Sequence, residues 1–408
     1  MGKSYDYIVA GAGCAGLSFL WHLTQSPLRN KRILLVDRQF QPAQEKLWSF
    51  WGGDPLPFRS IACKSWERMA VRFPGIDLFD LLEKNPYHTV RSEHYRTRIL
   101  DRLQEFPNIE LREGNIESME DLDRGVQIRL DGTSLRASHL FQSIRVAPQD
   151  KEQPVTYPLR QHFGGWEIQT DLPVFDSETM TLMDFDIDQR GAFIFVYTLP
   201  FTAHRALIEY TVVSPTPWAP SAYDRAIANY IKRRYGCAYT VERREYGVIP
   251  MEERPRSRRY GKHITSMGTA GGLTKPTTGY TFQRIQQHSQ DLVDALVRGR
   301  LPEERQATPP RFRFYDVLLL HILYHTPEKG RPIFRRLFQH NPFDRILSFI
   351  SEDTHPGQDA LIFSRLPYAP FLRAIPPTVS LYSRLLWPKN AANERMTNSS
   401  SAPVLHSS

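Results

Sequence analysis

The chain of 408 residues is 41% hydrophobic, which is enough for a substantial core and for more than one domain. Its net charge of +8 is spread along the chain, so we predict no nucleic-acid-binding module and keep an anionic membrane surface as a partner. The three cysteines, Cys14, Cys63 and Cys237, lack metal-ligand spacing and are too few for a disulfide framework, which favours a reducing, cytoplasmic location.

The N-terminal segment predicts a strand, a glycine turn, a helix and a second strand. Residues 7–10 form an apolar run that ends at Gly11, and residues 17–23 have the apolar spacing of a helix. A second apolar run, residues 32–36, ends at Asp37. The first strand starts so close to Met1 that we expect no signal peptide. Since no apolar stretch approaches the ~18 residues of a membrane-spanning helix, we expect peripheral membrane association.

The glycine turn has the G-x-G-x-x-G pattern of a dinucleotide-binding βαβ unit. The first glycine permits a tight turn, the second lets the backbone approach a pyrophosphate, and the third lets the helix pack closely against the strand. The helix N-terminus would bind phosphate, and the acid after the second strand would accept a hydrogen bond from a ribose hydroxyl. The predicted cofactor-binding residues here are Gly11, Ala12, Gly13, Cys14, Ala15, Gly16 and Asp37.

A second glycine cluster lies late in the chain, at residues 267–282, ahead of a predicted helix at 281–298. This cluster, the early position of the first motif and the strands that interrupt the βαβ run favour FAD over NAD. An ordinary glycine-rich loop is the alternative. The helix N-terminus could face an anionic group such as the flavin pyrimidine edge. The residues assigned to the cofactor here are Gly268, Thr269, Gly271, Gly272 and Gly279.

The remaining segments complete an α/β prediction. Alternating segments within 109–144 predict an antiparallel flap, and β-branched and aromatic runs within 163–213 predict a second sheet. Helical patterns cover residues 221–235, 311–323, 332–338, 342–350 and 370–386. The predicted fold is a Rossmann-type FAD-binding domain (1–160 and 257–305), an inserted antiparallel β-sheet substrate region (161–256), a C-terminal helical cap (306–389) and a disordered tail (390–408).

Several segments resemble, in order and spacing, the successive signatures of the lycopene cyclase family. They are residues 5–20, 47–52, 161–166, 181–185, 199–211, 245–251 and 267–282. The resemblance spans roughly residues 1–375. It implies a flavoprotein that needs reduced FAD, supplied with electrons by NADPH or another donor. It also implies an isomerisation with no net redox change, in which the linear ends of lycopene become the β-ionone rings of β-carotene via γ-carotene.

The family's acidic motif reads Leu-Ile-Glu, then Asp or Glu, then Thr, and here Tyr210 replaces the second acid. The resemblance implies that Glu209 is the essential acid, whereas the sequence leaves open whether it donates or removes the proton. Within an apolar strand, desolvation would raise its pKa. The alternative is a solvent-facing carboxylate or an ion pair with Arg205. Asp184, in an apolar stretch of another family segment, is the second predicted catalytic acid.

Two further predictions concern the carbocation and the membrane. Cation–π stabilisation could come from the aromatic residues Trp48, Trp51, Trp166 and Phe201. Because lycopene is insoluble in water, the apolar helices after residue 310 could meet a membrane, with a basic rim of Arg311, Arg313, Arg335, Arg336 and Arg345. Alternatively, these helices serve only to cover the core. An FAD monooxygenase or dehydrogenase and a non-catalytic flavin-binding adaptor remain alternative functions, and the oligomeric state stays open.

Overall fold

The computed structural model describes residues 4–41, 45–53, 58–144, 155–254, 256, 258–300 and 308–386, so the predicted disordered tail lies outside the described residues. Its strands are β1 (Ser4–Ala10), β2 (Ile33–Asp37), β3 (Leu47–Trp51), β4 (Lys64–Trp66), β5 (Arg68–Phe73), β6 (Ile76–Leu81), β7 (Tyr87–Arg91), β8 (Ile109–Glu113), β9 (Ile116–Asp121), β10 (Val126–Leu130), β11 (Thr133–Gln142), β12 (Leu159–Thr170), β13 (Thr179–Asp184), β14 (Phe193–Pro200), β15 (Arg205–Ser214), β16 (Tyr239–Met251), β17 (Arg259–Tyr260) and β18 (Ile264–Ser266). Its α-helices are α1 (Cys14–Leu23), α2 (Ser92–Gln104), α3 (Pro220–Arg234), α4 (Phe282–Val297), α5 (Pro310–His325), α6 (Gly330–His340), α7 (Phe343–Ile350), α8 (Pro356–Phe363) and α9 (Tyr368–Leu386).

The first sheet is parallel at its centre, in the order β18-β11-β1-β2-β8. Strands β1 and β2 with α1 between them form the predicted βαβ unit. Strands β9 and β10 extend antiparallel from β11 and form the predicted flap. However, β8 and the end of β11, which lie inside the predicted flap segment, join the parallel sheet. Apolar alternation marks a strand but does not say which strand it pairs with, so the sequence pattern missed this pairing.

The second sheet has seven strands in the order β16-β12-β15-β14-β13-β5-β6. All its pairs are antiparallel except β13 with β5. Strands β5 and β6 come from the part of the chain assigned to the cofactor domain, so this sheet extends beyond the predicted 161–256 range. The proposed division into domains stays a prediction.

The two faces of the second sheet bury different clusters. One face packs against α3, through residues that include Ile208, Tyr210 and Ile227. The other face packs against the C-terminal helices, through residues that include Leu207, Phe193 and Phe338. Alternate residues of a strand point to opposite faces, so neighbouring residues of β15 serve different clusters.

The C-terminal helices follow the predicted pattern with one addition. Helices α5, α6, α7 and α9 cover the predicted helical segments, and α8 is an element that the sequence analysis did not predict. Within the described part of the chain, none of the helices combines the length and the apolar character that a membrane span requires.

Candidate active site

The glycines of the first motif occupy three different environments. Gly11 has a φ of +105°, which only glycine adopts readily. A Cβ at Gly16 would overlap the carbonyl oxygen of Gly11, so this glycine permits close packing of α1. Among the described residues, none has an atom within 4 Å of a hypothetical Cβ at Gly13. The open position therefore lies where the motif needs room for a pyrophosphate.

The start of α1 retains binding capacity for an anion. No side chain caps the helix at Gly13, so the first N–H groups of α1 have no side-chain partner there. Asp37, at the end of β2, accepts a hydrogen bond from the Ala12 N–H at 2.5 Å. The predicted acid is thus held directly against the glycine turn, at the position from which it could reach a ribose.

The late glycine loop meets the first motif in space. Gly268 has a φ of +59°, and a Cβ there would approach the Cβ of Ala15 to 2.9 Å. Gly272 and Gly279 also have positive φ, and a Cβ at Gly271 would crowd the Ser266 carbonyl. Helix α4 starts after this loop without a side-chain cap. The structure therefore brings the two predicted cofactor segments together.

A cavity of about 930 Å³ extends from these segments across the second sheet to the C-terminal helices. Cys14 and Thr269 line it beside the glycine motifs, and Tyr368 and Leu372 line it on α9. Most of its other lining residues are apolar or aromatic, among them Leu182, Phe193, Phe195, Ile249, Phe334, Phe338 and Ile350. Such a lining suits an elongated hydrocarbon.

Glu209 lies on the cavity face of β15. Alternation along the strand places it on the same face as Leu207 and Val213, which belong to the cluster beneath the helices. The Thr211 hydroxyl donates a hydrogen bond of 2.9 Å to Glu209 Oε1. Burial raises the pKa of Glu209 to about 8, with a further contribution from the negative charge of Glu245. Glu209 is therefore a carboxyl group that stays largely protonated at neutral pH.

Glu245 is a functional candidate that the sequence analysis did not identify. It lies on β16, is only 5% exposed and lines the same cavity. Burial raises its pKa also, against the lowering effects of Arg243 and of a hydrogen bond from the Leu47 backbone. Its only sequence signal was its place at the start of the family segment 245–251. The neighbourhood of Glu209 and Glu245 depends on strand register, which the sequence alone does not specify.

A chain of buried hydroxyl groups borders Glu209. Tyr197 lies directly opposite Glu209 on β14. Its hydroxyl is 2.9 Å from Ser49 Oγ and 2.8 Å from the Tyr87 hydroxyl, which in turn is 2.9 Å from that of Tyr280. Burial raises the pKa of each tyrosine well above the usual value. The phenols thus remain neutral, and they present polarisable rings and hydroxyls to the cavity.

Tyr210 faces away from the cavity. It is 4% exposed and packs in the cluster beneath α3, with its ring 6.0 Å from that of Trp218. Because it neighbours Glu209 on a strand, the two side chains point to opposite faces. Replacement of the family's second acid by Tyr210 therefore leaves the Glu209 side of the sheet unchanged.

Asp184 is also directed away from the cavity. Its carboxylate accepts hydrogen bonds from the Tyr230 hydroxyl of α3, at 2.7 Å, and from the Asp186 N–H. The pairing of β13 is irregular between Thr181 and Asp184, with one extra residue relative to each neighbouring strand. Such a bulge inverts the alternation of side chains. This placement argues against the predicted direct role of Asp184 in proton transfer.

The four predicted aromatic residues differ in whether they line the cavity. Trp48 lines the cavity, and Trp51 packs behind it against Tyr87 and Tyr280. Trp166 donates a hydrogen bond to Asp224, on the α3 side. Among the described residues that line the cavity, neither Trp166 nor Phe201 is present. Trp48 is thus the predicted aromatic residue best placed to meet a cation.

A buried ion network joins the late glycine loop to the helices. Lys275 Nζ lies 3.0 Å from carboxylate oxygens of both Asp316 and Glu352. Thr277 donates to Asp316 at 2.6 Å, and Arg284 pairs with Glu352 at 2.8 Å. All these charges have partners, so the network fixes the loop against α5 and the segment after α7.

The predicted basic rim is only partly available to a membrane. Arg335 and Arg336 are exposed on α6, and Arg345 is half-buried on α7. By contrast, Arg311 is paired with Asp359 at 3.0 Å, and Arg313 is 9% exposed. Arg313 is therefore turned inward, whereas Arg311 keeps a partly exposed side chain whose charge is already paired with Asp359.

Comparisons with known proteins agree with this architecture. A family model described as lycopene cyclase protein matches residues 6–375. A lycopene beta-cyclase from Pseudescherichia vulneris is 27% identical over 307 residues, covering 73% of this chain and 75% of that protein. A geranylgeranyl bacteriochlorophyll reductase-like protein from Thermoplasma acidophilum has a TM-score of 0.59 at 12% identity, covering 94% of this chain and 99% of that chain. A variant of HpxO from Klebsiella pneumoniae, complexed with FAD, has a TM-score of 0.57 at 16% identity, covering 86% and 98% of the two chains.

The structural likenesses confirm the predicted fold class, an α/β flavoprotein fold with a second sheet and C-terminal helices. The family match spans most of the chain and includes the glycine motifs, the Glu209 strand and the Glu245 strand. The resemblance inferred from the sequence segments is thereby confirmed, and the chain belongs to the lycopene cyclase family.

Proposed function

We propose that this protein is a lycopene β-cyclase that converts the linear ends of lycopene to β-ionone rings, giving β-carotene via γ-carotene. The observation that carries the proposal is Glu209, a protonatable carboxyl group that faces a long, mostly apolar cavity. Membership of the lycopene cyclase family supports the substrate class. A cavity without a positioned acid would serve binding alone.

Ring closure needs a proton at the terminal double bond, attack of the next double bond on the resulting tertiary cation, and loss of a ring proton. Glu209, held protonated by its surroundings, is suited to deliver the first proton. Trp48 and the tyrosines beside Glu209 offer π faces that stabilise a nearby cation. The apolar lining keeps water from the cation, which would otherwise be quenched as an alcohol.

The two glycine segments are the residues that would hold FAD. The open space at Gly13 and the uncapped start of α1 fit a pyrophosphate, and Asp37 fits a ribose hydroxyl. Bound in its reduced form, FAD would supply a fixed negative charge near the cation with no net change of oxidation state, with NADPH or another donor keeping it reduced. The solved HpxO complex with FAD supports this choice of cofactor.

We further propose that α9 is where the protein meets the membrane surface. Tyr368, Leu372, Ile375 and Val379 follow one another at helical spacing, with exposed fractions of 64%, 63%, 38% and 50%. The first three also line the cavity. An apolar helix face continuous with the cavity suits transfer of a water-insoluble polyene from a bilayer, and exposed arginines on α6 would favour anionic lipid.

Expression in cells that accumulate lycopene tests the proposed function. The pigments would be separated by chromatography and compared with those of cells expressing Glu209→Gln. We expect β-carotene from the wild-type chain and unchanged lycopene from the variant. An oxygenated or dehydrogenated product would instead assign the chain to monooxygenases or dehydrogenases. Unchanged lycopene with the folded, flavin-loaded wild type would point to a non-catalytic adaptor.

A further inference from the structure

The second sheet brings another carboxyl group to the face that carries Glu209. Gly165 of β12 lies opposite Glu209 of β15 on one side and opposite Glu245 of β16 on the other. Neighbouring strands are about 4.8 Å apart, so roughly 10 Å separates the two glutamates at the backbone. Gly165 lies between them at the backbone, Leu207 Cδ1 lies 3.3 Å from the point that a Cβ of residue 165 would occupy, and both glutamates line the cavity.

The side chain of Glu245 extends over this glycine. A Cβ at residue 165 would lie 3.1 Å from Glu245 Cγ and 3.2 Å from Glu245 Oε1. The carboxyl group of Glu245 therefore points toward the strand of Glu209 rather than along its own strand. Any larger residue at position 165 would displace the Glu245 carboxyl group and the Leu207 side chain.

The groups around the pair explain why it can hold a proton. Glu209 has Tyr197 and Tyr280 beside it, which are neutral, and the Thr211 hydroxyl. The charged groups around Glu245 are Lys46, Arg243 and Glu167. Arg243 is itself 3.3 Å from Glu167, so its charge is shared with another carboxylate. The negative charge of Glu245 raises the pKa of Glu209, so the two buried carboxyl groups resist ionising together and one proton is retained between them.

We propose that Glu209 and Glu245 form a proton-transfer pair in which one carboxyl group is the acid and the other the base of the same ring closure. This inference rests on the proposed cyclase function. The acid's proton adds to the terminal double bond, whose π electrons form the new C–H bond. The next double bond supplies the electrons of the ring C–C bond. The carboxylate then takes a ring proton, and the electrons of that C–H bond become the ring double bond.

The pair holds one proton before and after this sequence, on opposite members. Passage of the proton between the neighbouring carboxyl groups resets the site, and no oxidant or reductant is consumed. The second carboxyl group of the pair thus comes from across the sheet, on β16, and not from the residue next to Glu209 in sequence. Tyr210, on the opposite face, has no part in the exchange.

The test is the turnover of Glu245→Gln with lycopene in vesicles and FAD reduced anaerobically. We expect a loss of about a hundredfold to ten-thousandfold in kcat, with bound flavin and circular dichroism unchanged. Glu242→Gln, an exposed glutamate on the same strand, is the matched control and should keep wild-type turnover. Wild-type kcat in Glu245→Gln would overturn the pairing, whereas an inactive wild type would overturn the proposed function itself.

The pH profile distinguishes a proton-transfer role from a structural one. Loss of the Glu245 charge lowers the pKa of Glu209, so the residual activity of Glu245→Gln should fall off at a lower pH than wild-type activity does. Glu245→Asp should restore part of the turnover. If Glu245→Gln does not fold, Gly165→Ala tests the same proposal. The added methyl group displaces the Glu245 carboxyl group and should lower kcat. Unshifted pH profiles or wild-type kcat in Gly165→Ala would overturn the proposal.

Discussion

Replacing Glu209 with Gln should remove ring closure while leaving the fold intact. The amide has nearly the same shape, and its oxygen can still accept the hydrogen bond from Thr211. It cannot donate or accept a proton at the pKa that the reaction requires. The loss should therefore appear in turnover rather than in binding of the cofactor.

The size of the effect follows from the environment of Glu209. A carboxyl group with the ordinary pKa of 4.5 is about 0.3% protonated at pH 7, whereas one with a pKa of about 8 is roughly 90% protonated. The cavity thus raises the population of the acid about 300-fold. Loss of a positioned acid or base typically lowers a rate by about a hundredfold to ten-thousandfold, and Glu209→Gln should fall in this range.

The same pKa predicts how stability changes with pH. The pKa of Glu209 is about 8 in the folded protein and 4.5 in the unfolded chain. The contribution of Glu209 to the free energy of unfolding is therefore fully present below about pH 4.5 and is lost as the pH rises through about 8. Glu209→Gln, which has no charge to bury, should therefore be more stable than the wild type at pH 7, by on the order of 3 kcal/mol. Below about pH 4.5 the two should converge.

Single-turnover product analysis with reduced FAD under anaerobic conditions would measure the catalytic effect, and denaturant unfolding at several pH values would measure stability. Anaerobic reduction ensures that a defect in flavin reduction is not mistaken for a chemical one. Substantial ring formation by Glu209→Gln would refute the assignment of Glu209. A variant less stable than the wild type at pH 8 would refute the buried-acid argument.

Gly13→Val should fold but lose FAD, because no described residue comes within 4 Å of a Cβ at Gly13, whereas Gly16→Val should fail to fold because its Cβ would overlap the Gly11 carbonyl. Flavin absorbance and circular dichroism distinguish the two outcomes, and a Gly13→Val protein with normal flavin content would contradict the cofactor site. Tyr210→Phe should change turnover little, since Tyr210 faces α3. A loss as large as that of Glu209→Gln would place the phenol in a relay. Vesicle cosedimentation should increase with anionic lipid, weaken with salt and fall in Leu372→Asp. Unchanged binding of Leu372→Asp would assign the membrane contact to another surface.

The sequence predicts the local elements of the fold well. The change from strand to helix period across Gly11 and the end of the next strand at Asp37 identify the βαβ unit, because both signals are local. The sequence does not predict which of the two sheets a strand joins. Strands β8 and β5 have ordinary strand patterns, yet β8 joins the parallel sheet and β5 joins the second sheet. Strand pairing depends on distant contacts, which a pattern along the chain does not encode.

In the candidate site as well, features that depend on local sequence are predicted, whereas features that depend on strand pairing are not. Glu209 is predicted because a carboxyl group inside an apolar run, within a family motif, is informative by itself. Glu245 is missed because its meaning depends on register across Gly165. Asp184 shares the local features of Glu209, but an extra residue in β13 turns it toward α3. Burial alone therefore does not distinguish the face that lines the cavity from the face that packs on α3.

In the proposed mechanism, a protonated carboxyl group closes the ring without net redox chemistry. The most direct measurement is the mass and identity of the product formed from lycopene in vesicles by the purified protein with reduced FAD under anaerobic conditions. This mechanism predicts a cyclic isomer of lycopene, formed over many turnovers without stoichiometric oxidation of the flavin. A product that has gained oxygen or lost hydrogen, or one flavin oxidised for each ring closed, would contradict it.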